Sequence, residues 1–166
     1  MLIWIRSFGE LDLPQLMHLH SESICCNGRM NYPDLSENMQ IIRAEQDFYD
    51  DLSSFFTEPG GTYAVWASEG HYCSALRIEP YSDGLLLSCL ETAQEMRRKG
   101  CAAQLIRAVL DDLKIDGHEK LYSHVNKGNI SSLRLHDACG FKCILDHAVY
   151  IDGSVYHSSC TFCYTL

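Results

Sequence analysis

Apolar runs of strand length alternate with amphipathic stretches along this chain, and the most informative transition lies near its middle. Residues 85–90 are almost entirely apolar and predict a buried strand. A short basic turn follows, after which apolar side chains recur at steps of three and four residues, the spacing of one helix face. The apolar positions of that face are Ala102, Leu105, Ile106, Val109 and Leu113. The pattern therefore predicts a strand that runs through a turn directly into a helix.

The first third of the chain predicts one strand followed by helices. A strand over 2–8 comes first, and a helix begins at Asp12. Three turn-forming residues then predict a loop over 25–34, which precedes a helix or helix pair over 36–56. The loop residues are Gly28, Asn31 and Pro33, and the buried side of the next helix is predicted to carry Met39, Ile42, Phe48, Leu52 and Phe55.

The rest of the chain predicts a mixed sheet with two helices. Glycine-containing turns separate three apolar runs and indicate an antiparallel meander. Asn129 and Gly140 suit the start and the end of a second helix, and Asp152-Gly153 favours a hairpin turn. The strands are predicted at 62–67, 71–78, 84–92, 120–125, 141–151 and 155–164, and the first of the two helices at 101–115. The element order is β-α-α-β-β-β-α-β-α-β-β, a mixed α/β fold with no internal linker.

The basic turn between strand and helix has the chemistry of an anion site. The first N–H groups of a helix have no intrahelical partner, and the helix dipole adds partial positive charge. Gly100 lets an anion approach the backbone, while Arg97, Arg98 and Lys99 add formal positive charge. A solvated basic loop before a helix is the alternative, and these residues alone leave both interpretations open.

Two segments resemble the GNAT superfamily of acetyl-CoA-dependent N-acetyltransferases. Arg97–Ala102, RRKGCA, fits the family pattern Q/R-x-x-G-x-G/A. Asn129–Phe141, NISSLRLHDACGF, is similar to the family segment N-x-x-A/S-x-x-L/F-Y-x-x-x-G-F, and the two motifs occur in the family's order. The resemblance extends over roughly residues 60–145. It implies a single GNAT-like domain over 1–166, with a central twisted, mostly antiparallel sheet flanked by helices.

The resemblance implies transfer of an acetyl group from acetyl-CoA to the primary amine of a small molecule or of a peptide or protein N-terminus. Backbone N–H groups of the basic turn would hold the CoA pyrophosphate, and the main chain at Leu90–Thr92 would pair with the pantetheine arm. Asn129 matches a position that contacts this arm, and it also suits a helix N-cap. The implied cofactor-binding residues are Leu90, Thr92, Arg97, Arg98, Lys99, Gly100, Cys101, Ala102 and Asn129; no metal is expected.

The resemblance also concerns the acceptor side and the proton transfers. His136 stands where the family often has Tyr, so it is a candidate acid for the CoA thiolate; a packed histidine, with water as the acid, is the alternative. Glu91, at the end of a strand, is a candidate base acting through water, whereas Glu95 is expected to face solvent. The N-terminal helices would form one wall of the acceptor pocket, although simple helix packing also accounts for the residues concerned. These are Tyr32, Glu45, Phe48 and Tyr49.

The missing tyrosine leaves a second class of function open. The same scaffold could be a non-catalytic acyl-CoA-binding or protein-interaction module. The intact basic turn favours the acetyltransferase, because a lost donor site would leave little reason for a glycine with basic flanks. The acceptor amine and the choice between monomer and homodimer stay open.

Composition limits the kinds of binding partner and the cellular location that we expect for this protein. The 166 residues carry a formal charge of −9, which argues against nucleic-acid and anionic-membrane partners. The same charge would suit a cationic substrate, although solubility alone explains it too. The sequence shows no signal-peptide pattern and no apolar run of membrane-spanning length, so we expect a cytoplasmic protein. The nine cysteines are expected as free thiols, and Cys160 and Cys163 fall on opposite faces of a strand, a poor metal pair.

Overall fold

Helices cover both faces of a seven-stranded sheet in the computed structural model, which describes residues 1–166. The helices are α1 (Leu13–Leu19), α2 (Ser21–Asn31), α3 (Glu37–Phe55), α4 (Cys101–Ile115) and α5 (Ile130–Ala138). The strands are β1 (Leu2–Ile5), β2 (Thr62–Ser68), β3 (His71–Tyr81), β4 (Gly84–Thr92), β5 (Lys120–Asn126), β6 (Lys142–Leu145), β7 (Ala148–Val149), β8 (Val155–Tyr156) and β9 (Ser159–Thr165). Short 3-10 turns lie at Phe8–Glu10 and Gln94–Met96.

The strand order is β1-β2-β3-β4-β5-β9-β6, and β7 and β8 form a separate pair. Only β4 and β5 run parallel; every other pair is antiparallel. This confirms the predicted mixed α/β fold, with a mostly antiparallel sheet flanked by helices. Parallel neighbours need a crossover connection, and α4 supplies it. The basic turn that opens α4 therefore lies at the carboxyl end of β4, beside β5.

Two apolar cores hold the helices against the sheet. On one face, α4 buries Leu105, Ile106 and Val109 completely, together with strand residues such as Leu76 and Leu121. These helix residues are three of the five that the apolar pattern assigns to the inner face. On the other face, α1 and α3 contribute the second core, which contains Leu16, Leu19, Leu52, Phe55, Tyr63 and Val65. Both faces of the central strands are thus covered, which fixes β4 and β5 in place.

The predicted loop over 25–34 is wrong, because α2 continues to Asn31. Gly28 is not a turn residue here but a contact residue. A Cβ at this position would lie 2.7 Å from the Gln40 carbonyl oxygen of α3, so glycine allows the two helices to meet backbone to backbone. The contact also explains why Met39 and Ile42 are exposed, at 41% and 54%, rather than buried. The amino-terminal part of α3 packs on α2 instead of on the sheet.

The predicted long hairpin from 141–151 and 155–164 is also wrong in its details. The first strand breaks into β6 and β7, and the second into β8 and β9. β6 pairs with β9 at the edge of the main sheet, whereas β7 pairs with β8 in a small two-stranded ribbon. The predicted turn at Asp152-Gly153 lies at the tip of that ribbon, where Gly153 has a φ of 82°. Beside this ribbon, the ring of Tyr150 packs against the rings of Tyr156 and of His124 on β5.

Two further observations concern the surface and the thiols. None of the helices combines the length and the apolar composition needed to cross a membrane. All nine cysteines are free, and Cys160 is buried whereas Cys163 is only partly so. No group of three or more His, Cys, Asp or Glu side chains is arranged to hold a metal ion.

Candidate functional site

The basic turn presents a row of unused backbone donors. Gly100 is the N-cap of α4 with a φ of 83°, and Arg98 also has a positive φ, of 59°. Because of this winding, the N–H groups of residues 98–102 donate to no carbonyl within the protein. Successive free N–H groups at a helix start form a concave site for an anion.

The three basic side chains of the turn have different surroundings. Arg97 is held by an ion pair with Glu22 of α2, and its Nε donates to the Thr92 carbonyl oxygen at 3.3 Å. Arg98 and Lys99 take part in no ion pair. Two positive charges are therefore free to meet an anion, while Arg97 ties the turn to the amino-terminal helices.

β4 and β5 separate just beyond the centre of the sheet. Their parallel pairing covers only Leu85–Leu87 and Leu121–Ser123. A β-bulge follows in β4, where the register against β3 shifts and Cys89 has a φ of 50°. From residue 88 onward, the β4 edge that faces β5 has no strand partner. A bulge re-aims a strand and frees its edge, so an extended ligand could pair there as an added strand would.

Two large cavities lie on either side of the gap between these strands. The turn cavity, of about 600 Å³, lies between the basic turn, β4 and the start of α5. The tyrosine cavity, of about 820 Å³, lies across the sheet and is lined by Glu79, Ser88, His124, Tyr150 and Tyr156, among others. A smaller cavity of about 140 Å³, which we call the passage, lies between them. The passage shares Leu90, Asn129 and Ser132 with the turn cavity, and Leu87, Ser88, Cys89 and His124 with the tyrosine cavity.

His136 points from α5 into this passage. It is only 2% exposed and packs against the rings of Phe141 and Phe162. Its Nδ1 lies 2.8 Å from the Ser132 carbonyl oxygen, and its Nε2 lies 2.9 Å from the Ser123 Oγ. A carbonyl oxygen can only accept, so Nδ1 carries the proton. Burial lowers the pKa of His136, and the Nε2 atom of the neutral ring accepts a hydrogen bond from the Ser123 hydroxyl.

Comparison with known proteins identifies the architecture. A model of the acetyltransferase (GNAT) family matches residues 29–141, more than half of the chain. The chain belongs to the GNAT acetyltransferase family. Membership implies acetyl transfer from acetyl-CoA. No curated protein matches the sequence significantly.

Solved GNAT structures share this fold at low sequence identity. The PaiA N-acetyltransferase of Thermoplasma acidophilum, solved with coenzyme A, is 13% identical with a TM-score of 0.69, over 100% of this chain and 99% of its own. The ribosomal-protein-S18-alanine N-acetyltransferase of Escherichia coli is 15% identical with a TM-score of 0.63, over 99% and 94%. A GNAT acetyltransferase of Elizabethkingia anophelis, solved with acetyl-CoA, is 14% identical with a TM-score of 0.57, over 73% and 83%. At identities this low, the likeness shows a shared fold and does not identify the acceptor substrate.

Most of the residues that the GNAT resemblance assigns to the cofactor meet around one cavity. The turn cavity is lined by Leu90, Thr92, Arg97, Arg98, Gly100, Cys101, Ala102 and Asn129. Lys99 is the one assigned residue outside this lining. The predicted N-cap is confirmed, because the Asn129 Oδ1 accepts the Ser132 N–H at 3.0 Å. Asn129 therefore has a structural role and also borders the cavity.

Glu91 lies on the turn side rather than the tyrosine side. Its half-buried carboxyl group lines the turn cavity, and burial raises its pKa. Ser23 and Arg97 oppose that rise, whereas Glu22 adds to it. Glu95, by contrast, is exposed and pairs with His18. The position of Glu91 does not bring it next to the tyrosine cavity, and its role as a base stays a prediction.

The tyrosine cavity consists of residues that sequence reasoning did not select. Glu79 accepts a hydrogen bond from the Ser88 Oγ at 2.9 Å, and the rings of Tyr150 and Tyr156 lie edge to face. The signal was weak, since these residues come from three strands with ordinary alternation and from a ribbon read as part of a longer hairpin. None of the N-terminal helix residues named for the acceptor wall lines this cavity, the turn cavity or the passage. Those residues are Tyr32, Glu45, Phe48 and Tyr49.

Proposed function

We propose that this protein transfers the acetyl group of acetyl-CoA to the primary amine of a small molecule or of a peptide or protein N-terminus. The observation that carries the proposal is the row of three neighbouring cavities, in which the passage shares lining residues with both the turn cavity and the tyrosine cavity. A thioester entering from one side and an amine from the other would meet in the passage. Holding both reactants in line removes much of the entropic cost of a bimolecular step.

The turn cavity suits the cofactor in three respects. The free N–H groups at residues 98–102 and the unpaired side chains of Arg98 and Lys99 match a pyrophosphate. The open β4 edge at Leu90–Thr92 matches the amide-bearing pantetheine arm. Asn129 borders both the turn cavity and the passage, where it could contact that arm. Two related folds were solved with coenzyme A or acetyl-CoA, which supports this assignment of the turn cavity.

The tyrosine cavity suits an amine acceptor. Its lining includes the carboxylates Glu79 and Asp152 and no lysine or arginine. A carboxylate with aromatic neighbours favours a cationic group before it loses its proton. His136 is the candidate source of the proton that the leaving thiolate needs once His136 has taken up a proton, and Glu91 is a more distant candidate base. We assign these steps to a single domain that spans residues 1–166.

Calorimetric titration with acetyl-CoA tests the donor site. Gly100→Glu places a carboxylate among the free N–H groups and should weaken binding at least tenfold through anion repulsion. Gly117→Glu, at the other end of α4, is the matched control. Both glycines have a φ near 80° and no neighbour closer than 3.8 Å to an added Cβ, so backbone strain is shared. Equal affinity in both variants would refute the pyrophosphate assignment.

Thiol release tests catalysis separately from binding. A panel of alkyl diamines, arylalkylamines and short peptides is incubated with acetyl-CoA, and free CoA thiol is measured. Amine-dependent release, with an acetylated amine found by mass spectrometry, supports the transferase. Tight acetyl-CoA binding without any amine-dependent release would instead support a non-catalytic acyl-CoA-binding module.

A further inference from the structure

We propose that the Ser123 hydroxyl is a catalytic group that passes the proton of the attacking amine to His136 and later returns it to the sulfur of CoA. This inference rests on the proposed acetyl transfer. It assigns the chemistry of the passage to Ser123, with His136 as the positioning residue behind it. Sequence reasoning did not single out Ser123.

Ser123 stands at the point where the sheet opens. It is the last residue of β5 that pairs with β4, opposite Leu87. It is 2% exposed, yet it lines the passage together with Cys89 and Leu90 of the bulge. A thioester carbonyl held between the separated edges of β4 and β5 would lie next to Ser123, where the pairing of the two strands ends. The hydroxyl is therefore placed next to the reacting carbon rather than at the mouth of either cavity.

The hydrogen bonds around His136 fix the direction in which a proton can move. Nδ1 donates to the Ser132 carbonyl oxygen, which holds the ring and commits that proton. The Ser123 O–H then donates to Nε2 at 2.9 Å. A hydroxyl is activated when it is hydrogen-bonded to a base and a third group orients that base. Here the three groups are the Ser123 hydroxyl, His136 and the Ser132 carbonyl oxygen. In the resting protein, the pair is therefore ready to receive a proton, not to give one.

No other group in the passage is equally suited to the same task. Its lining contains no carboxylate, lysine or arginine, and its titratable side chains are Cys89, His124 and His136. Its surroundings raise the pKa of the Cys89 thiol, which therefore stays neutral. Burial lowers the pKa of both histidines. His124 hydrogen-bonds through Nδ1 to Thr161, and its Nε2 has no hydrogen-bond partner. It is the rival base that the experiment must separate.

One hydroxyl can serve both halves of the reaction because the nitrogen and the sulfur are bonded to the same carbon in the tetrahedral intermediate. As the N–C bond forms, the amine proton moves to the Ser123 Oγ while the serine proton moves to His136 Nε2. As the C–S bond breaks, the sulfur takes the proton of Ser123, and His136 Nε2 returns its proton to Oγ. The products are the amide and the CoA thiol, and both side chains end unchanged.

The test compares four variants with the wild type, using acetyl-CoA and one amine that the wild type accepts. Ser123→Ala should lower kcat at least 100-fold, the usual scale for a lost proton-transfer group, with the KM for acetyl-CoA changed less than threefold. Ser123→Thr keeps a hydroxyl and should recover to within about tenfold of the wild type. His136→Gln can bond to Ser123 but cannot take up its proton.

The pH profile separates a proton path from a structural role. Wild-type kcat should fall at acidic pH, as His136 becomes protonated and can no longer accept. Protonation of the amine itself affects all variants alike, so the ratio of wild-type kcat to the residual kcat of Ser123→Ala or His136→Gln should fall at acidic pH. A Ser123→Ala enzyme at full rate, or a ratio that does not change with pH, would overturn the inference, and so would a ratio that falls only for His124→Asn. If the wild type binds acetyl-CoA but acetylates no amine, the proposed function itself fails, and the relay fails with it.

Discussion

Asn129 offers a quantitative separation of structural and cofactor roles. Its Oδ1 accepts one N–H group at the start of α5, at 3.0 Å, and the residue is exposed. Asn129→Ala removes that acceptor, and water replaces it only in part. Loss of such a cap costs about 1 kcal/mol, which is about a fivefold change in the unfolding equilibrium. For a chain of this length, we expect the melting temperature to fall by about 2–4 °C.

Asn129→Ser separates the two roles because serine caps a helix about as well as asparagine. Its unfolding free energy, measured by urea titration, should return to within a few tenths of a kcal/mol of the wild type. Its shorter side chain lacks the amide that would contact the pantetheine arm, so acetyl-CoA should bind about two- to tenfold more weakly in calorimetry. If Asn129→Ser restores both stability and affinity, the amide does no more than cap α5. If Asn129→Ala leaves the unfolding free energy unchanged, the cap reasoning is refuted.

Two further predictions concern the amino-terminal helices. Gly28→Ala should destabilise the fold by about 1–3 kcal/mol, because the added Cβ would meet the Gln40 carbonyl oxygen at 2.7 Å, and this outweighs the gain of about 0.5–1 kcal/mol in helix preference. Gly9→Ala, with open space around the new Cβ, is the control in the same urea titration, and equal midpoints would contradict the α2–α3 contact. His20 is 4% exposed, and burial lowers its pKa to about 4, so the folded state binds its proton less readily than the unfolded chain. The stability that the neutral, buried His20 provides is fully present above pH 6.5 and is lost as the pH falls toward 4, by up to about 3 kcal/mol. His20→Leu should flatten this pH dependence of the free energy of unfolding, and parallel pH slopes for the variant and the wild type would refute the prediction.

The fold was largely predictable because its strongest signals are local. Periodicity places the strand at 84–92 and the helix at 101–115, and the structure has both with the same bounds. Asn129 and Gly140 mark the ends of α5 through the chemistry of their own backbones, with a φ of 90° at Gly140. In each case the information lies within a few residues of the feature that it predicts.

The errors arose where a distant contact decided the local structure. Glycine usually favours a turn, but Gly28 is helical because another helix passes within contact distance. The prediction of a long hairpin was wrong because the chain after β6 leaves the sheet edge and forms the β7–β8 ribbon. No residue type in that segment predicts the change of pairing. The turn cavity could be found because its residues fall within two short segments, 90–103 and 129–135, that contain the two family motifs. The tyrosine cavity could not, because Glu79, His124 and Tyr150 come together only in the folded chain.

The exchange of tyrosine for histidine at 136 and the placement of Ser123 are best understood together. A tyrosine hydroxyl lies farther from its own Cα than an imidazole Nε2 does, so a histidine on the same helix stops short of a ligand that a tyrosine could touch. The space that remains is occupied by the Ser123 hydroxyl, which is bonded to Nε2 and faces the passage. A shorter but more basic side chain on α5, extended by a hydroxyl on β5, can accept a proton as well as donate one. In the proposed relay, this pair would take up the amine proton first, whereas a tyrosine hydroxyl acting as an acid would give up a proton first.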